Sequence, residues 1–207
     1  MKKIILLLFI PSFIVSCRKD VAIPEGKDFV GTVTQVGPFI PLTVGSFWVY
    51  DYFILDTGGI ETYNGRDTMR IIKDSIINGK TYAVFKGSYE QKCNNCVSLR
   101  RDSLDYLVDE KGIVYFSENN FKDTLANFSS NGFVLYYKMT HKDSIISVPA
   151  GIFSTYDYER VAYFNSDIPR HCHYFYSNGI GIVKSQWRYY GPPNYSVAKL
   201  VNYYISP

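Results

Sequence analysis

The chain has 207 residues, of which 22 are Lys or Arg and 19 are Asp or Glu, so its formal net charge is +3. Its length suits one domain, and its 46% hydrophobic and 20% charged residues are an ordinary globular balance. Because the basic residues are scattered among acidic ones, the sequence predicts no nucleic-acid partner. Aromatic residues are abundant, at 19 Tyr, 14 Phe and 2 Trp, and this content favours strands whose rings pack across a sheet.

The N-terminus has the order of segments that is typical of an export signal. Lys2 and Lys3 provide a positive start, and residues 4–13 follow without any charge. This apolar run is shorter than the roughly 20 residues that a membrane-spanning helix needs. The pattern therefore predicts a signal peptide over residues 1–16, immediately before Cys17.

The stretch Ile14-Val15-Ser16-Cys17 resembles the bacterial lipobox, whose cysteine is lipidated and becomes the first mature residue. The resemblance implies that Cys17 is a lipidation site, and several acyl chains hold a protein stably on a membrane. In enterobacterial lipoproteins an aspartate after the cysteine retains the protein in the inner membrane, and Arg18 stands there in this chain. We therefore expect an outer-membrane protein, anchored by lipid and facing the periplasm or the cell surface.

The rest of the chain divides into a tether and one domain. Residues 17–39 are predicted to be the lipidated cysteine and a flexible tether, because glycine and proline recur there without a periodic pattern. Residues 40–207 show period-two alternation and are predicted to form an antiparallel β domain. The strands expected in chain order are 47–54, 69–77, 80–85, 105–109, 113–116, 133–139, 144–148, 153–164, 171–176, 182–190 and 197–205.

Turn signals and strand spacing together predict the fold class. Asn78-Gly79, between the second and third expected strands, is the strongest short hairpin signal in the chain. Residues 122–128 are expected to form a turn or two of helix at most. The predicted fold is all-β, with a single antiparallel, strongly curved sheet, or a barrel or sandwich, of about ten strands and little helix.

Three stretches resemble a pattern in uncharacterised bacterial envelope proteins. Val148-Pro-Ala-Gly-Ile-Phe153 and Tyr176-Ser-Asn-Gly-Ile-Gly-Ile-Val-Lys184 are similar to their "PAG-x-F" strand start and "Y-x-x-G-x-G-x-V-K" hairpin. Pro41-Leu-Thr-Val-Gly-Ser-Phe-Trp-Val-Tyr50 is similar to their "PL-x-x-G-x-x-W-x-Y" start. The resemblance implies an envelope location and a curved sheet akin to the half-barrel of lipoprotein carriers. Helices cover the concave face of those carriers, and here no segment predicts a helix of sufficient length.

Three cysteines remain after the lipidation site. Cys93 and Cys96 form a C-x-x-C pair, and Cys172 lies between His171 and His173. In an oxidising envelope we expect a structural disulfide, either between the C-x-x-C pair or between one of them and Cys172. The alternative is a tetrahedral zinc site of two thiolates and two imidazoles, which would serve a Cys/His metal-dependent enzyme. The long sequence separation between Cys96 and His171 makes the zinc site less favoured than the disulfide. No cofactor is predicted.

The sequence predicts no catalytic residue. Asp157 and Glu159 alternate on an expected strand, where their carboxyl groups would have a separation compatible with glycoside hydrolysis. The favoured interpretation is a pair of acids on the solvent side of the strand. No G-x-S-x-G, phosphate-binding glycine loop or H-E-x-x-H motif is present in the sequence.

The function predicted from the sequence is that of a non-enzymatic binding or interaction module for an apolar or carbohydrate ligand. Aromatic side chains would line its pocket if the sheet encloses one. The candidates are Trp48, Tyr50, Tyr156, Tyr158 and Trp187. The alternative is a structural or assembly partner of an envelope complex.

Overall fold

A computed structural model gives the fold of residues 39–93, 95–164, 169–188 and 194–207. These residues form strands, turns and loops, and none of them lies in a helix. The described part of the chain accordingly has no helix that is long and apolar enough to cross a bilayer. The predicted signal peptide, Cys17 and nearly all of the predicted tether lie outside the described residues.

The described residues contain twelve strands, which form one antiparallel sheet. The strands are Phe47–Leu55 (β1), Glu61–Ile77 (β2), Lys80–Lys86 (β3), Val97–Ser103 (β4), Tyr106–Val108 (β5), Val114–Ser117 (β6), Ala126–Ser130 (β7), Phe133–Val148 (β8), Gly151–Phe164 (β9), Arg170–Ser177 (β10), Gly181–Arg188 (β11) and Tyr195–Tyr204 (β12). Their order across the sheet is β6-β5-β4-β3-β2-β1-β12-β11-β10-β9-β8-β7. This architecture confirms the predicted all-β fold of about ten strands with little helix.

Turn chemistry places the first hairpin where the sequence predicts it. Asn78 and Gly79 have φ angles of 50° and 74°, as a two-residue hairpin turn with two positive φ angles requires. Strands β2 and β3 pair antiparallel on either side of this turn. The expected strands 69–77 and 80–85 are therefore confirmed, although β2 begins earlier, at Glu61.

Two local predictions are wrong. Residues 133–139 and 144–148, expected as separate strands, belong to the single strand β8. Asp143 has a φ angle of 63°, and the pairing with β9 shifts register around it, so the irregularity interrupts the ladder without ending the strand. The segment 122–128, expected to form at most a short helix, instead contributes to β7. A short isolated helix is unfavourable, whereas β7 pairs with the edge of β8.

The sheet curls until strands from distant positions in its order meet. Strand β6 is at one end of the order and β9 is near the other, yet the Tyr158 hydroxyl on β9 donates to the Val114 carbonyl at the start of β6, at 2.7 Å. The Phe116 ring on β6 also lies 4.8 Å from the Tyr176 ring on β10, between centroids. This curl encloses a concave side, called the interior face below, and leaves a convex outer face.

Strand β1 shows how alternation fills the interior face. Trp48, Tyr50 and Tyr52 are alternate residues and all three are buried, so removal of each ring from water contributes about 2 to 3 kcal/mol. Their polar atoms are also bonded, because the Trp48 Nε1–H donates to the Ile180 carbonyl at 2.6 Å and the Tyr50 hydroxyl donates to the Ile182 carbonyl at 2.7 Å. Aromatic side chains thus fill the core without leaving these donors unpaired.

The segment before β1 enters the interior as well. Phe39 is buried, and its ring centroid lies 4.6 Å from that of Phe116 and 4.7 Å from that of Tyr156. Phe39, the last residue of the predicted tether 17–39, therefore packs against the core.

Candidate functional site

A loop covers part of the interior face. This interior loop comprises residues 87–96, of which residue 94 is not described, and it connects β3 to β4. Side-chain hydroxyls hold three consecutive backbone carbonyls, those of residues 88–90. The donors are Tyr52 on β1, Ser185 on β11 and Ser196 on β12. Strands from the middle of the sheet therefore fix the loop inside the curl.

The two ends of the interior loop are closely constrained. Gly87 has a φ angle of 100°, and a Cβ atom at this position would lie 2.6 Å from the Thr68 carbonyl oxygen. Only glycine allows this close approach of the loop to β2. The Gly87 amide donates to the Cys96 carbonyl at 2.9 Å, and a disulfide joins Cys96 to Cys93. The loop consequently enters and leaves the interior at fixed points.

A cavity of about 220 Å³ lies between the interior loop and the curled sheet. Its lining combines tyrosine rings with charged side chains, contributed by the loop and by strands on both sides of the curl. The lining residues are Met69, Gly87, Ser88, Tyr89, Glu90, Cys96, Ser98, Arg100, Tyr115, Tyr137, Tyr158, Arg160 and Tyr174. This is the candidate binding site.

Glu90 and Arg160 form an ion pair at the cavity. The Arg160 Nη1 lies 3.3 Å from the Glu90 Oε1, and the Tyr174 hydroxyl donates to the same oxygen at 2.6 Å. The other guanidinium nitrogen, Nη2, lies 3.6 Å from the sulfur of Cys172, a free thiol that is buried. Both of these contacts of the carboxylate end on Oε1.

Arg100 is the second guanidinium at the cavity. Its Cζ atom lies 3.7 Å from the centroid of the Tyr115 ring, which is a short cation–π contact. Its Nη1–H donates to the Leu99 carbonyl at 2.7 Å, and Tyr89 shares a hydrogen bond with it. Within the described part of the chain, no carboxylate oxygen lies within 4.0 Å of this guanidinium.

The five aromatic residues predicted to line a pocket occupy different places. Tyr158 lines the cavity, while Trp48 lines a separate apolar space of about 20 Å³. Tyr50 is fully buried in the core, and Tyr156 packs against the rings of Phe39 and Phe116 near β6. Trp187 packs against the same cluster of buried residues as Tyr156. Of the five predicted residues, only Tyr158 therefore lines the cavity.

The four candidate zinc ligands do not come together. Cys93 and Cys96 are joined to each other on the interior loop, with an S–S distance of 1.99 Å. His171 and His173 contact carboxylates on the outer face of β9 and β10, whereas Cys172, between them, turns toward Arg160 in the interior. The described residues contain no group of three or more His, Cys, Asp or Glu side chains that could hold a metal ion.

The outer face carries a network of paired acids and bases. The His171 Nδ1 lies 2.5 Å from the Glu159 Oε1, the Lys138 Nζ lies 3.1 Å from the Glu159 Oε2, and the His173 Nδ1 lies 3.0 Å from the Asp157 Oδ2. Asp157 and Glu159 are each only 6% exposed. The two acids therefore lie on the outer side of the strand, where basic side chains contact both carboxylates and leave them little exposed.

These outer contacts change two pKa values. Burial raises the pKa of Glu159, but hydrogen bonds from His171 and Lys138 outweigh burial and leave that pKa below its ordinary value. The hydrogen bond to Asp157 raises the pKa of His173 above its ordinary value, although burial opposes the shift. Both changes favour the charged form of the side chain, so the network is held together by opposite charges.

The charged residues of the cavity could not be recognised from the sequence. Arg100 is one of many scattered basic residues there, and no sequence pattern indicates a role for Glu90 or Arg160. One signal was present, because Ser98 and Arg100 alternate in strand β4 and both line the cavity. The contacts of Glu90 with Tyr174 and Arg160 join residues that are 84 and 70 positions apart, so local patterns do not reveal them.

Comparisons with known proteins identify solved structures that have a similar fold. No family model matches the sequence, and no curated protein matches it at a significant level. A Bacteroides fragilis protein, provisionally described as exported and as having a YmcC-like fold, superimposes with a TM-score of 0.50 at 13% identity, over 79% of this chain and 97% of that one. A Parabacteroides distasonis protein, provisionally described as a lipoprotein, gives 0.52 at 12% identity, over 80% and 98%. This chain therefore shares the fold of these two proteins.

Proposed function

We propose that this protein is an outer-membrane lipoprotein whose β domain is a non-enzymatic binding module for a carbohydrate. Two observations support the location. Residues 14–17 resemble a lipobox and follow a charged start and an apolar run. The two proteins that share the fold are provisionally described as an exported protein and as a lipoprotein. Arg18, in place of the aspartate that retains enterobacterial lipoproteins, favours the outer membrane.

The observation that carries the binding function is the 220 Å³ cavity under the interior loop. It is larger than the engineered cavity of about 150 Å³ that accommodates a benzene ring, so it has room for a six-membered ring. The core around it is packed with aliphatic and aromatic side chains. A cavity in a packed interior, lined by a few polar groups, is the usual form of a small-molecule site.

The chemistry of the lining favours a sugar over a wholly apolar ligand. Tyr115 and Tyr137 line the cavity and are only partly buried, so they offer ring surface against which the carbon skeleton of a sugar can pack. Glu90 and Arg100 offer an acceptor and donors for hydroxyl groups. A wholly apolar ligand would instead remove water from these charged groups and give them no hydrogen bond in return, which is unfavourable.

The distribution of carboxylates supports binding without hydrolysis. Glycoside hydrolysis ordinarily uses two carboxyl groups that flank one bond. Glu90 is the one carboxylate among the residues that line the cavity. Asp157 and Glu159 lie on the outer face, where histidine and lysine side chains already contact them.

Binding is tested on the mature acylated chain, purified in a detergent without a sugar headgroup. Calorimetric titration with a panel of neutral and acidic monosaccharides should detect at least one ligand. Ser98→Phe places a ring in the cavity and should abolish that signal. The matched control is Val97→Phe, on the same strand at an exposed position, and it should bind as the unmodified chain does. Absence of binding across the panel would overturn the proposal.

The anchor is tested in the native host. Mass spectrometry of the N-terminal peptide should find acyl chains on Cys17, and fractionation should recover the protein with the outer membrane. Cys17→Ser should release the protein from the membrane fraction. Recovery of unmodified Cys17 in a chain that is otherwise mature would refute the anchoring.

A further inference from the structure

We propose that the cavity selects a sugar that carries a carboxylate group, of the hexuronic acid class, and that Arg100 binds this carboxylate. The inference rests on the proposed carbohydrate-binding function and adds the charge of the ligand and the residue that recognises it. It follows from the charges of the lining, from the placement of Arg100 and from the size of the cavity.

The charges of the cavity lining do not balance. Two guanidinium groups, those of Arg100 and Arg160, face one carboxylate, that of Glu90. The carboxylate lies 3.3 Å from Arg160 and therefore belongs to that pair. Among the described residues, Arg100 has no acid within 4.0 Å. The site consequently carries one positive charge that no carboxylate of the described residues neutralises.

Arg100 is positioned to bind an anion through the edge of its guanidinium. The Tyr115 ring stacks on the guanidinium at 3.7 Å and restricts its orientation. Contacts to the Leu99 carbonyl and to Tyr89 use part of the five N–H donors that an arginine carries. The remaining donors suit a carboxylate, which pairs with a guanidinium through two parallel hydrogen bonds.

The energetics favour an anionic ligand. A charge that is largely removed from water without an opposite partner is unfavourable, so a ligand that supplies a negative charge gains more here than a neutral one. Glu90 adds selectivity, because a carboxylate in the lining repels a second negative group but accepts a hydrogen bond from a hydroxyl. One carboxylate and several hydroxyl groups on one ring match both features.

The size of the cavity separates a sugar acid from a simple anion. A volume of about 220 Å³ exceeds what a single small ion fills. Tyr137 also lines the site and is only partly buried, so it presents ring surface to a ligand. A ligand that fills the space therefore has a ring as well as a charge.

The test compares three probes on the same acylated chain, in a buffer free of carboxylate and phosphate. D-glucuronate, D-glucose and acetate are titrated calorimetrically. We expect D-glucuronate to bind at least about tenfold more tightly than either of the others, since a hydrogen bond to a charged group is worth roughly that factor. Equal binding of D-glucose would overturn the inference and leave the carbohydrate-binding function standing. Equal binding of acetate would overturn it too, and failure of every sugar would remove the function itself.

Two variants assign the selectivity to Arg100. Arg100→Gln should reduce the D-glucuronate affinity to that of D-glucose, and Arg100→Lys, which keeps the charge, should retain part of the preference. The matched control is Arg101→Gln, which removes the same charge from the next position on β4, outside the cavity lining. It should retain the full preference. A preference that survives Arg100→Gln in a protein with an unchanged melting temperature would overturn the assignment.

Discussion

Charged side chains are paired differently on the two faces of the sheet. On the outer face, the carboxylates of Asp157 and Glu159 each contact a histidine at 2.5 to 3.0 Å. In the interior, Glu90 pairs with Arg160, while Arg100 has an aromatic ring and neutral acceptors around it. A network in which every charge has a partner serves the fold. A buried charge without an opposite partner is unfavourable until a ligand supplies one, and this difference separates the structural region from the candidate site.

Strand β9 contributes to both regions, because its side chains alternate. Tyr158 and Arg160 reach the interior, and Asp157 and Glu159 lie outside. Substitutions on one face can therefore leave the other face intact. The outer and interior faces can therefore be probed separately by mutation.

The largest effect is expected where interior packing is densest. Trp48→Ala should lower the free energy of unfolding by about 3 to 5 kcal/mol, because it removes a fully buried ring and leaves a cavity. Chemical denaturation of both proteins measures the difference. Ile145→Ala, at a side chain that is 68% exposed, should change the stability by less than about 0.5 kcal/mol. Similar losses in both variants would show that the interior face is not the core.

Loss of the interior ion pair should have the next largest effect. Arg160→Met should destabilise the protein by about 2 to 3 kcal/mol, because it leaves Glu90 without its cationic partner and removes the contact to Cys172. The figure is modest because the Glu90 side chain is 32% exposed.

A double-mutant cycle separates the ion pair from general packing losses. Combining Arg160→Met with Glu90→Gln should cost less than the sum of the two single changes, because each single change leaves one member of the pair without its partner. Denaturation curves of the four proteins give the coupling. Strict additivity would show that the two side chains do not stabilise each other.

The disulfide of the interior loop should have a smaller and local effect. Replacing both Cys93 and Cys96 by Ser opens a ring that spans a sequence separation of 3, for which the chain-entropy account gives about 2 kcal/mol. The melting temperature should fall by about 4 to 8 °C. Hydrogen exchange should increase in the interior loop and stay constant in β9 and β10. A uniform increase would contradict a local role, and the double variant should no longer respond to a reductant.

Features of the fold that depend on neighbouring residues are predictable from the sequence. Alternation in Phe47–Leu55 places three rings on one face of β1, and Asn78-Gly79 has the conformational freedom that its turn requires. Each signal involves only a few neighbouring residues, so residue propensity and the hydrophobic pattern are enough to predict the strand and the turn. Strand β4 was missed because Val97–Ser103 has charged residues at both phases of the alternation.

The candidate site depends on contacts between distant parts of the chain. The hydroxyl of Ser185 bonds to the carbonyl of Tyr89, 96 positions away, and only the curled sheet brings them together. The pairing of β9 with β10 likewise sets His173 opposite Glu159 and beside Asp157. The residue types of the site were visible in the sequence, but their neighbours follow from the strand order, which no local motif encodes.

The smallest expected effect is a pH dependence that belongs to the outer face alone. The hydrogen bond to Asp157 raises the pKa of His173 above the ordinary value of 6.5, and Glu159 and Lys138 are the other charged groups near it. A raised pKa in the folded state adds stability that is complete below the pKa of the unfolded chain and is lost as the pH rises through the folded value. The melting temperature of the unmodified chain should therefore exceed that of His173→Gln most near pH 6. The difference should stay within about 2 to 4 °C and shrink toward about pH 9. A difference in melting temperature that grows with pH would show that the contact with Asp157 does not favour the protonated form of His173. A parallel change of D-glucuronate affinity with pH would show that the two faces are coupled.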